Sequence, residues 1–298
     1  MESVPSVPPA AAKVLPVLQS PCFYHQGFDT AVNVGRVLEE IAGDGYTSHS
    51  RLAQTALGVR EVARQLQRRN CKMSVKNVMI VTKARDNQLV TLTRELACWI
   101  MKTPRHGSRL GLNVYVDKKL KESKRFNASG LIEEEPEFAE MLHYWTPELC
   151  WSKPEMFDLV LTLGGDGTVL FTSWLFQRVV PPVLSFSLGS LGFLTNFRYE
   201  FYQEHLDKVF NDAMRVNMRM RFTCTVYREE GHGQTTECDQ YEVLNELVID
   251  RGPSPYVSNL ELYGDDDLLT VVQADGCIFS TPTGIFNFLF HLYDSTWR

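Results

Sequence analysis

The sequence lacks an excess of positive charge, a long apolar run and any closely spaced pair of cysteines. Its 298 residues carry 30 basic and 36 acidic side chains, giving a formal net charge of −6. A nucleic-acid-binding protein usually presents a basic stripe, so no nucleic-acid partner is expected. No apolar run approaches the roughly 20 residues that a membrane-spanning helix needs, so no membrane partner is expected either.

The cysteine pattern and the first residues exclude further classes. Seven cysteines form no CxxC pair, which disfavours a zinc ribbon and a thioredoxin-like motif. Reduced thiols in a cytoplasmic protein are therefore expected. Residues 1–16 contain one lysine, no arginine and several prolines, so they fit neither a secretory signal nor a mitochondrial transit peptide. We predict a disordered tail over residues 1–20.

Hydrophobic periodicity divides the remaining chain into two parts, with a boundary near residue 200. In the first part, short β-branched strands alternate with amphipathic helices, which predicts a parallel sheet in an α/β layer. The predicted strands cover residues 77–82, 112–116, 157–163 and 183–188, and the predicted helices cover 51–69, 87–102 and 169–177, with Asp86 as N-cap of the second. After one more helix, the second part is mainly β. Its predicted strands cover residues 220–228, 242–250, 258–263, 268–273 and 277–280, with a polar loop at 229–239.

A glycine-rich turn follows the third predicted strand. Gly164, Gly165 and Gly167 surround Asp166, and Thr168 leads into a helix. Glycines allow close backbone approach, and the amides at a helix N-terminus suit a phosphate group. An aspartate repels that phosphate, so it fits a site where it handles Mg²⁺ or accepts a hydroxyl proton. Alternatively, the segment is only a tight turn with a capping aspartate. The sequence contains neither a Walker A loop nor a GxGxxG motif.

A second glycine-containing segment, LGSLGFLTNF at residues 188–197, lies where the fourth predicted strand ends. Gly189 and Gly192 suggest a loop that comes close to a ligand, and Phe193 is a candidate for lining its pocket. The alternative is an ordinary glycine turn that packs Leu191 and Leu194. On this segment alone, the ordinary turn is favoured.

The third motif is Asn245-Glu246, between Leu244 and Leu247 in an otherwise apolar predicted strand. Buried polar side chains need hydrogen-bond partners, and ribose hydroxyls or a carboxamide would supply them. An edge position or an internal hydrogen bond explains the pair equally well.

The fourth motif runs from Asp275 to Gly284 and ends in the run Ser-Thr-Pro-Thr-Gly. An Asp-Gly turn leads into a short strand, and the hydroxyls that follow suit a polar ligand. Turn chemistry alone is the alternative.

In this order, the four motifs resemble the NAD kinase family, whose pattern is GGDGT, LGxLGFLT, an NE dipeptide in a strand, and DG…STPTGSTAY. The resemblance covers about residues 22–284. The runs VLTLGGDGTVLFTSWLFQ and VLNELVIDRGPS are similar to eukaryotic, fungal-type members. Lipid kinases and phosphofructokinases share the glycine-aspartate turn, whereas the order of all four motifs is diagnostic.

The resemblance implies a two-domain fold. A Rossmann-like α/β domain with the GGDGT turn is expected over residues 21–199. An incomplete, mainly β, sandwich-like NAD-binding domain is expected over residues 200–284. The family also implies a homo-oligomer, which for this chain stays open.

The resemblance further implies transfer of the γ-phosphoryl group of ATP to the 2′-hydroxyl of the adenosine ribose of NAD, with Mg²⁺ as cofactor. Asp166 matches the family's catalytic aspartate, and no residue is assigned to the metal. Positions that match the phosphate turn are Gly164, Gly165, Gly167 and Thr168. Positions that match dinucleotide contacts are Phe193, Asn245, Glu246, Asp275, Thr283 and Gly284.

The sequence departs from the family pattern after Gly284. The family continues with Ser-Thr-Ala-Tyr, whereas this chain continues with Ile285 and its last residue is Arg298. We therefore expect a tail outside the family over residues 285–298. Our hypothesis is that it is a translated intron or an incorrectly assigned exon end, which sequencing the transcript across codon 284 tests.

Two alternatives to an active NAD kinase stay open at this point. The first is a lipid kinase that shares the glycine-aspartate turn. The second is an inactive fragment, or the product of an incorrectly defined gene, in which the motifs record ancestry.

Overall fold

The computed structural model describes residues 23–24, 70–71, 74–84, 86–105, 107–212, 214–217, 219–229, 235–264, 267–281 and 283. These residues divide into two compact units, one ending at 217 and the other beginning at 219. The predictions for residues 1–20, for a helix at 51–69 and for residues 284–298 lie outside the described residues.

The first unit contains both strands and helices. Its strands are β1 (Phe23–Tyr24), β2 (Asn70–Cys71), β3 (Asn77–Thr82), β4 (Asn113–Asp117), β5 (Leu142–Trp145), β6 (Leu159–Leu163), β7 (Val179–Val180), β8 (Val183–Ser187), β9 (Phe197–Arg198) and β10 (Met214–Arg215). Its helices are α1 (Asn87–Lys102), α2 (Ala128–Glu134), α3 (Phe138–Met141), α4 (Pro147–Ser152), α5 (Asp166–Leu175) and α6 (Tyr202–Asn211). Short 3₁₀ turns lie at Lys118–Leu120, Pro154–Met156 and Tyr199–Phe201.

The main sheet of this unit is parallel, as the sequence predicts. Its strand order is β5-β4-β3-β6-β8-β9, and all five neighbouring pairs run in parallel. The carboxyl ends of parallel strands meet at one edge of a sheet, where ligands of open α/β folds bind. The loop that follows β6 therefore lies at the edge that carries sites in this class of fold.

Helices cover both faces of this sheet. Along β3, Val78 and Ile80 lie in the core cluster that contains the buried face of α1. Met79 and Val81 lie in a second cluster, with Leu175 of α5. Successive strand residues face opposite sides of a sheet, so this alternation explains why β3 is an uninterrupted apolar run.

The predicted helix after Asp86 is confirmed with the same bounds. The Asp86 carboxylate accepts the backbone N–H of Gln88 at 3.1 Å, as an N-cap does. Leu89, Leu96 and Ile100 form its buried face.

A buried arginine joins the end of α1 to α6. The Arg105 guanidinium carbon lies 5.4 Å from the ring centre of Trp99 and 4.7 Å from that of Phe210. Its Nη2 lies 2.5 Å from the Asp207 carboxylate, and only 5% of the side chain is exposed. The buried stem packs against both helices, and the charge contacts two aromatic faces.

Replacing Arg105 with alanine should lower the free energy of unfolding by about 2–3 kcal/mol, because packing and charge contacts are lost together. Urea denaturation measures this change. Arg109→Ala is the matched control, since that side chain is 67% exposed in its ion pairs with Glu135 and Glu137. Losses of equal size in the two variants would contradict a structural role for the buried arginine.

The helix after the glycine-aspartate turn begins earlier than residue 169, where the sequence places its start. α5 begins at Asp166, because Gly165 is its extended N-cap and residues 166–168 already form the first turn. Because glycine has a low helix propensity, the sequence places the helix start after Gly167. In the structure, tertiary contacts outweigh this propensity and Gly167 lies within the helix.

The helix α6 belongs to the first unit. The sequence places the domain boundary near residue 200, before this helix, whereas the compact units divide between residues 217 and 219. Leu206 and Phe210 of α6 lie in the same core cluster as Leu96 of α1. An amphipathic helix shows which face is buried but not which domain buries it.

The second unit is mainly β, as predicted. Its described strands are β11 (Phe222–Glu229), β12 (Thr235–Val243), β13 (Glu246–Asp250), β14 (Ser258–Gly264), β15 (Asp267–Ala274) and β16 (Gly276–Ser280). They form three antiparallel pairs, β11 with β12, β13 with β16, and β14 with β15. A sandwich arrangement of these pairs stays a prediction.

Two details of the second unit differ from the sequence-based expectation. The predicted loop at 229–239 contains the first residues of β12, which pair with β11 in an antiparallel hairpin. Later in the same strand, the exposed Gln240 donates to Thr225 Oγ1 across the pair at 3.3 Å, which shows that polar side chains fit this hairpin. The predicted strand at 242–250 is divided by a bend at Leu244 and Asn245.

Four cysteine side chains belong to the described residues. Cys98, Cys150, Cys224 and Cys277 are free of disulfides. Burial raises the pKa of the Cys150 thiol to about 12, so this thiol is chemically inert near neutral pH. Among the described helices, none combines the length and apolar character needed to span a bilayer.

Candidate active site around the glycine-aspartate turn

The glycine-aspartate turn connects β6 to α5 at the carboxyl edge of the sheet. Gly164 donates its N–H to the Phe186 carbonyl at 3.1 Å, which ties the turn to β8. Its φ is +155°, and a Cβ there would lie 2.3 Å from Thr168 Oγ1. Any side chain at Gly164 would therefore displace the first turn of α5.

The next part of the turn is open. A Cβ at Gly165 or Gly167 would meet no heavy atom within 4 Å among the described residues. The first amides of a helix have no carbonyl partner within it, and the helix dipole makes this end positive. The turn thus leaves backbone N–H groups accessible from solvent, and its role as a phosphate site stays a prediction. Thr168 is 7% exposed and packs its hydroxyl beneath Gly164.

The loop after β8 holds the Asp166 carboxylate. Phe193 donates its N–H to Oδ2 at 2.9 Å, and the N–H groups of Leu194 and Thr195 donate to Oδ1 at 3.0 and 3.2 Å. Thr195 Oγ1 donates a further hydrogen bond to Oδ1 at 3.1 Å. The first two motifs therefore form one structure, in which residues 193–195 hold the Asp166 carboxylate.

Gly192 lies so close to Asp166 that a side chain would not fit there. A Cβ on Gly192 would lie 2.2 Å from Asp166 Oδ1 and 2.5 Å from Thr195 Oγ1. The loop closes on itself there, since Gly192 donates its N–H to Thr195 Oγ1 at 3.0 Å. Glycine is therefore required at position 192 because any side chain there would clash. At the exposed Gly189, by contrast, a Cβ would point into open space.

The Phe193 side chain is accessible, as a ligand-contacting residue must be. It is 53% exposed, while the neighbouring Leu194 and Thr195 are buried. The backbone N–H of Phe193 binds Asp166, so an accessible aromatic side chain belongs to the residue that holds this carboxylate.

Sequence reasoning missed one basic residue beside the turn. Lys83 follows β3 directly, is exposed, and donates its backbone N–H to the Leu163 carbonyl at 3.0 Å. Its Cβ lies 3.1 Å from the position that a Cβ on Gly164 would take. The sequence signal that could have identified Lys83 is its position directly after a predicted strand. Neighbouring parallel strands bring their carboxyl ends together, so such a residue lies near the turn that follows the next strand.

In the second unit, the third and fourth motifs meet. Thr281 donates its N–H to the Asn245 carbonyl at 2.9 Å and its hydroxyl to the Leu244 carbonyl at 2.6 Å. Thr283 donates its N–H to Thr281 Oγ1 at 3.0 Å, and both threonines are nearly buried. Glu246 pairs in register with Ser280.

The Glu246 carboxylate has an oxygen without a donor. Its Oε2 is buried and has no hydrogen-bond partner among the described residues. A buried acceptor without a donor costs roughly 1–3 kcal/mol, so this atom fits a site that a ligand donor completes. The internal hydrogen bond weighed as an alternative is absent at this oxygen in the described part of the chain.

Asp275 and Gly284 are placed differently. Asp275 lies at the opposite end of the β13–β16 pair from Glu246 and forms an ion pair with Arg251 at 2.8 Å. Gly284 lies outside the described residues. The structure therefore brings Asn245, Glu246 and Thr283 together, but not Asp275 with them.

Two family models match this chain. The ATP-NAD kinase N-terminal domain matches residues 78–214, and the ATP-NAD kinase C-terminal domain matches residues 244–291. The chain belongs to the NAD kinase family. The two matches contain all four motifs, and the second extends past Gly284. The first residues of the tail that was expected to lie outside the family, 285–291, therefore fall within the match.

Two curated relatives from Saccharomyces cerevisiae are similar over most of this chain. An NAD(+) kinase is 47% identical over 247 residues, which cover 80% of this chain and 46% of the relative. An ATP-NADH kinase is 38% identical over 288 residues, which cover 92% of this chain and 57% of the relative. The chain thus spans about half the length of these members of the NAD kinase family.

One solved structure supports the fold. The crystal structure of yeast NADH kinase complexed with NADH superposes with a TM-score of 0.54 at 24% sequence identity. The match covers 72% of this chain and 60% of that chain. At this identity the likeness supports the arrangement of the NAD kinase fold alone.

Proposed function

We propose that this chain transfers the γ-phosphoryl group of ATP to the 2′-hydroxyl of the adenosine ribose of NAD, giving NADP and ADP. The observation that carries the proposal is the pairing of Asp166 with open glycine amides at the N-terminus of α5. The amides suit phosphate oxygens, and the carboxylate suits the hydroxyl that attacks them. The name of one yeast relative gives NAD(+) as its acceptor, and the name of the other gives ATP with NADH, which supports phosphorylation of a nicotinamide dinucleotide.

The chemistry fits the geometry of the turn. The 2′-oxygen forms a bond to the γ-phosphorus while the bond between that phosphorus and the bridging oxygen breaks, and ADP leaves. The hydroxyl proton passes to Asp166. Phosphoryl transfer has a loose transition state, so positioning and charge neutralisation contribute most of the catalysis. A carboxylate is a weak base for a sugar hydroxyl, so Asp166 first orients the hydroxyl and takes its proton late.

Two observations support the proposed dinucleotide contacts, namely an exposed aromatic side chain and a buried carboxylate oxygen without a donor. The exposed Phe193 ring offers an apolar contact, and the buried Glu246 Oε2 accepts from a ligand hydroxyl or amide. Asn245 and Thr283 lie beside Glu246, within the same set of backbone hydrogen bonds. Asp275 and Gly284 belong to the proposal through the family motif.

Magnesium enters the proposal as part of the substrate MgATP. No group of three or more metal-ligating side chains occurs among the described residues, so the fold supplies no dedicated cage there. Mg²⁺ is commonly held by substrate phosphates with one or two carboxylates, and a site with a single aspartate fits this mode. When bound, the ion neutralises the phosphate charge that Asp166 repels.

The test is the formation of NADP from NAD, and of NADPH from NADH, by this chain with ATP and Mg²⁺. Diacylglycerol and sphingosine serve as acceptors for the competing lipid-kinase hypothesis, which the two matching NAD kinase models disfavour. Phosphorylation of a lipid instead of the dinucleotide would contradict the proposal. A folded chain that phosphorylates none of these acceptors would favour the inactive-fragment hypothesis. The cytoplasmic location and the homo-oligomer remain predictions.

Lys83 should bind the phosphates of ATP. Replacing Lys83 with alanine should raise KM for ATP about tenfold, because one charge-assisted contact is lost, while Lys83→Arg should keep most of the affinity. Steady-state kinetics at varied ATP measure this effect. Lys102→Ala at the exposed end of α1 is the control, and an equal rise in KM there would contradict a specific role for Lys83.

A further inference from the structure

The two oxygens of the Asp166 carboxylate are not equivalent. Oδ1 accepts three hydrogen bonds, from the N–H groups of Leu194 and Thr195 and from Thr195 Oγ1. Oδ2 accepts one, from the N–H of Phe193, among the described residues. A carboxylate offers about two acceptor positions on each oxygen. Oδ1 is therefore saturated, and Oδ2 keeps one position for a further donor.

We propose that Thr195 is a positioning residue that fixes Oδ1, so that Oδ2 is the oxygen that receives the ribose hydroxyl. This inference rests on the proposed function, because it assigns a role within the same reaction. Asp166 remains the residue that touches the substrate, and Thr195 acts through it. In the proton transfer, the O–H bond of the ribose breaks and an O–H bond forms at Oδ2, while the four loop contacts persist.

The surroundings of Thr195 are those of a fixed support. It is 1% exposed, and its hydroxyl accepts the Gly192 N–H at 3.0 Å while it donates to Asp166. Accepting from one group and donating to the other fixes the direction of the hydroxyl proton. The neighbouring Leu194 carbonyl accepts from Ser185 Oγ at 2.5 Å, which ties this part of the loop to β8. The support of the carboxylate is thus continuous with the parallel sheet.

Removing the hydroxyl should loosen the carboxylate, because Oδ1 then keeps only two of its three hydrogen bonds, both from backbone N–H groups. Valine has nearly the shape of threonine but cannot donate to Oδ1, so the two oxygens would exchange more readily. Misplacement of a reacting group by about 1 Å can cost about 100-fold in rate. Thr195→Val should therefore lower kcat by about 10- to 100-fold, with KM for NAD changed by less than about threefold. Thr195→Ser, which keeps the hydroxyl, should restore most of kcat.

A double-mutant cycle separates positioning from a general structural role. Thr195→Val is measured by NADP formation in the natural chain and in the Asp166→Asn variant, and by thermal unfolding in the natural chain and in an Asp166→Ala variant. If Thr195 acts through Asp166, the valine substitution lowers kcat in the natural chain but leaves the residual rate of the asparagine variant unchanged. Equal fold-losses in both backgrounds, or no rescue by Thr195→Ser, would overturn the inference and leave the proposed function intact.

If the natural chain makes no NADP, the proposed function is wrong, and the thermal unfolding measurements then test the role of Thr195 separately. A hydrogen bond between Thr195 and Asp166 predicts that Thr195→Val lowers Tm more in the natural chain than in an Asp166→Ala variant, which has no carboxylate oxygen to accept that hydrogen bond. Unequal shifts would retain Thr195 as the support of the carboxylate. Equal shifts would overturn that role as well.

Discussion

Replacing Asp166 with asparagine should lower the rate of NADP formation by at least about 100-fold while the chain stays folded, since general acid–base groups contribute about 10²–10⁴-fold. Asparagine has nearly the same shape, but its amide is not a base. Its NH₂ group also meets a backbone N–H where the carboxylate accepts one, so the loop contact is weakened at one oxygen. Steady-state kinetics with NAD and MgATP measure the loss, and circular dichroism confirms the fold.

A second aspartate in the same unit tests whether the loss of rate is specific to Asp166. Asp212 is exposed and follows α6, where its backbone N–H caps the helix through the Lys208 carbonyl at 2.9 Å. Asp212→Asn keeps that backbone contact and should leave the rate unchanged. If the Asp166 variant retained most of the natural rate, the carboxylate would not be the group that orients the hydroxyl.

Replacing Gly192 with alanine should have the second large effect. The added Cβ would lie 2.2 Å from Asp166 Oδ1, so either the loop or the carboxylate must move. Forced overpacking of this kind costs about 1–3 kcal/mol of unfolding free energy. The displaced carboxylate should also lower kcat by about 100-fold. Denaturant unfolding and NADP formation measure the two effects.

Gly189 supplies the matched control for stability, because it lies in the same loop and a Cβ there meets nothing within 4 Å among the described residues. Gly189→Ala should change the unfolding free energy by less than about 0.5 kcal/mol. If Gly192→Ala were as stable as Gly189→Ala, the contact between the loop and Asp166 would be looser than the structure shows.

The parallel sheet and α1 could be predicted from the sequence because each has a local cause. β3 is a short apolar run that is buried on both faces, and Asp86 caps α1 three residues before its first buried leucine. The boundary between the units could not be predicted in the same way. The apolar face of α6 shows that the helix is buried, but its partner Leu96 lies more than a hundred residues earlier in the chain.

The parts of the candidate site were visible in the sequence, but their pairing was not. The hydrogen bonds between Asp166 and residues 193–195 join positions 27 to 29 apart in the chain, and no local pattern reports them. Thr195 was missed because a buried threonine between Leu194 and Asn196 looks like ordinary packing. A carboxylate at an open turn needs donors, and this requirement was the physical signal that a nearby loop would supply them.

The meeting of the third and fourth motifs has the same explanation. Thr281 bonds to Leu244 and Asn245, which are more than thirty positions away in the chain. The bend at Asn245 frees the carbonyl groups that Thr281 uses, so the break in the predicted strand is part of the arrangement. A continuous strand was predicted because the flanking leucines and valines hide the bend.

The most direct test of the account is to follow labelled phosphate from γ-labelled ATP in the natural chain and in the Asp166→Asn variant. The account predicts that the label appears on the 2′-position of NADP with the natural chain and is nearly absent with the variant. Label on another acceptor, or equal labelling of NADP by the two proteins, would contradict it.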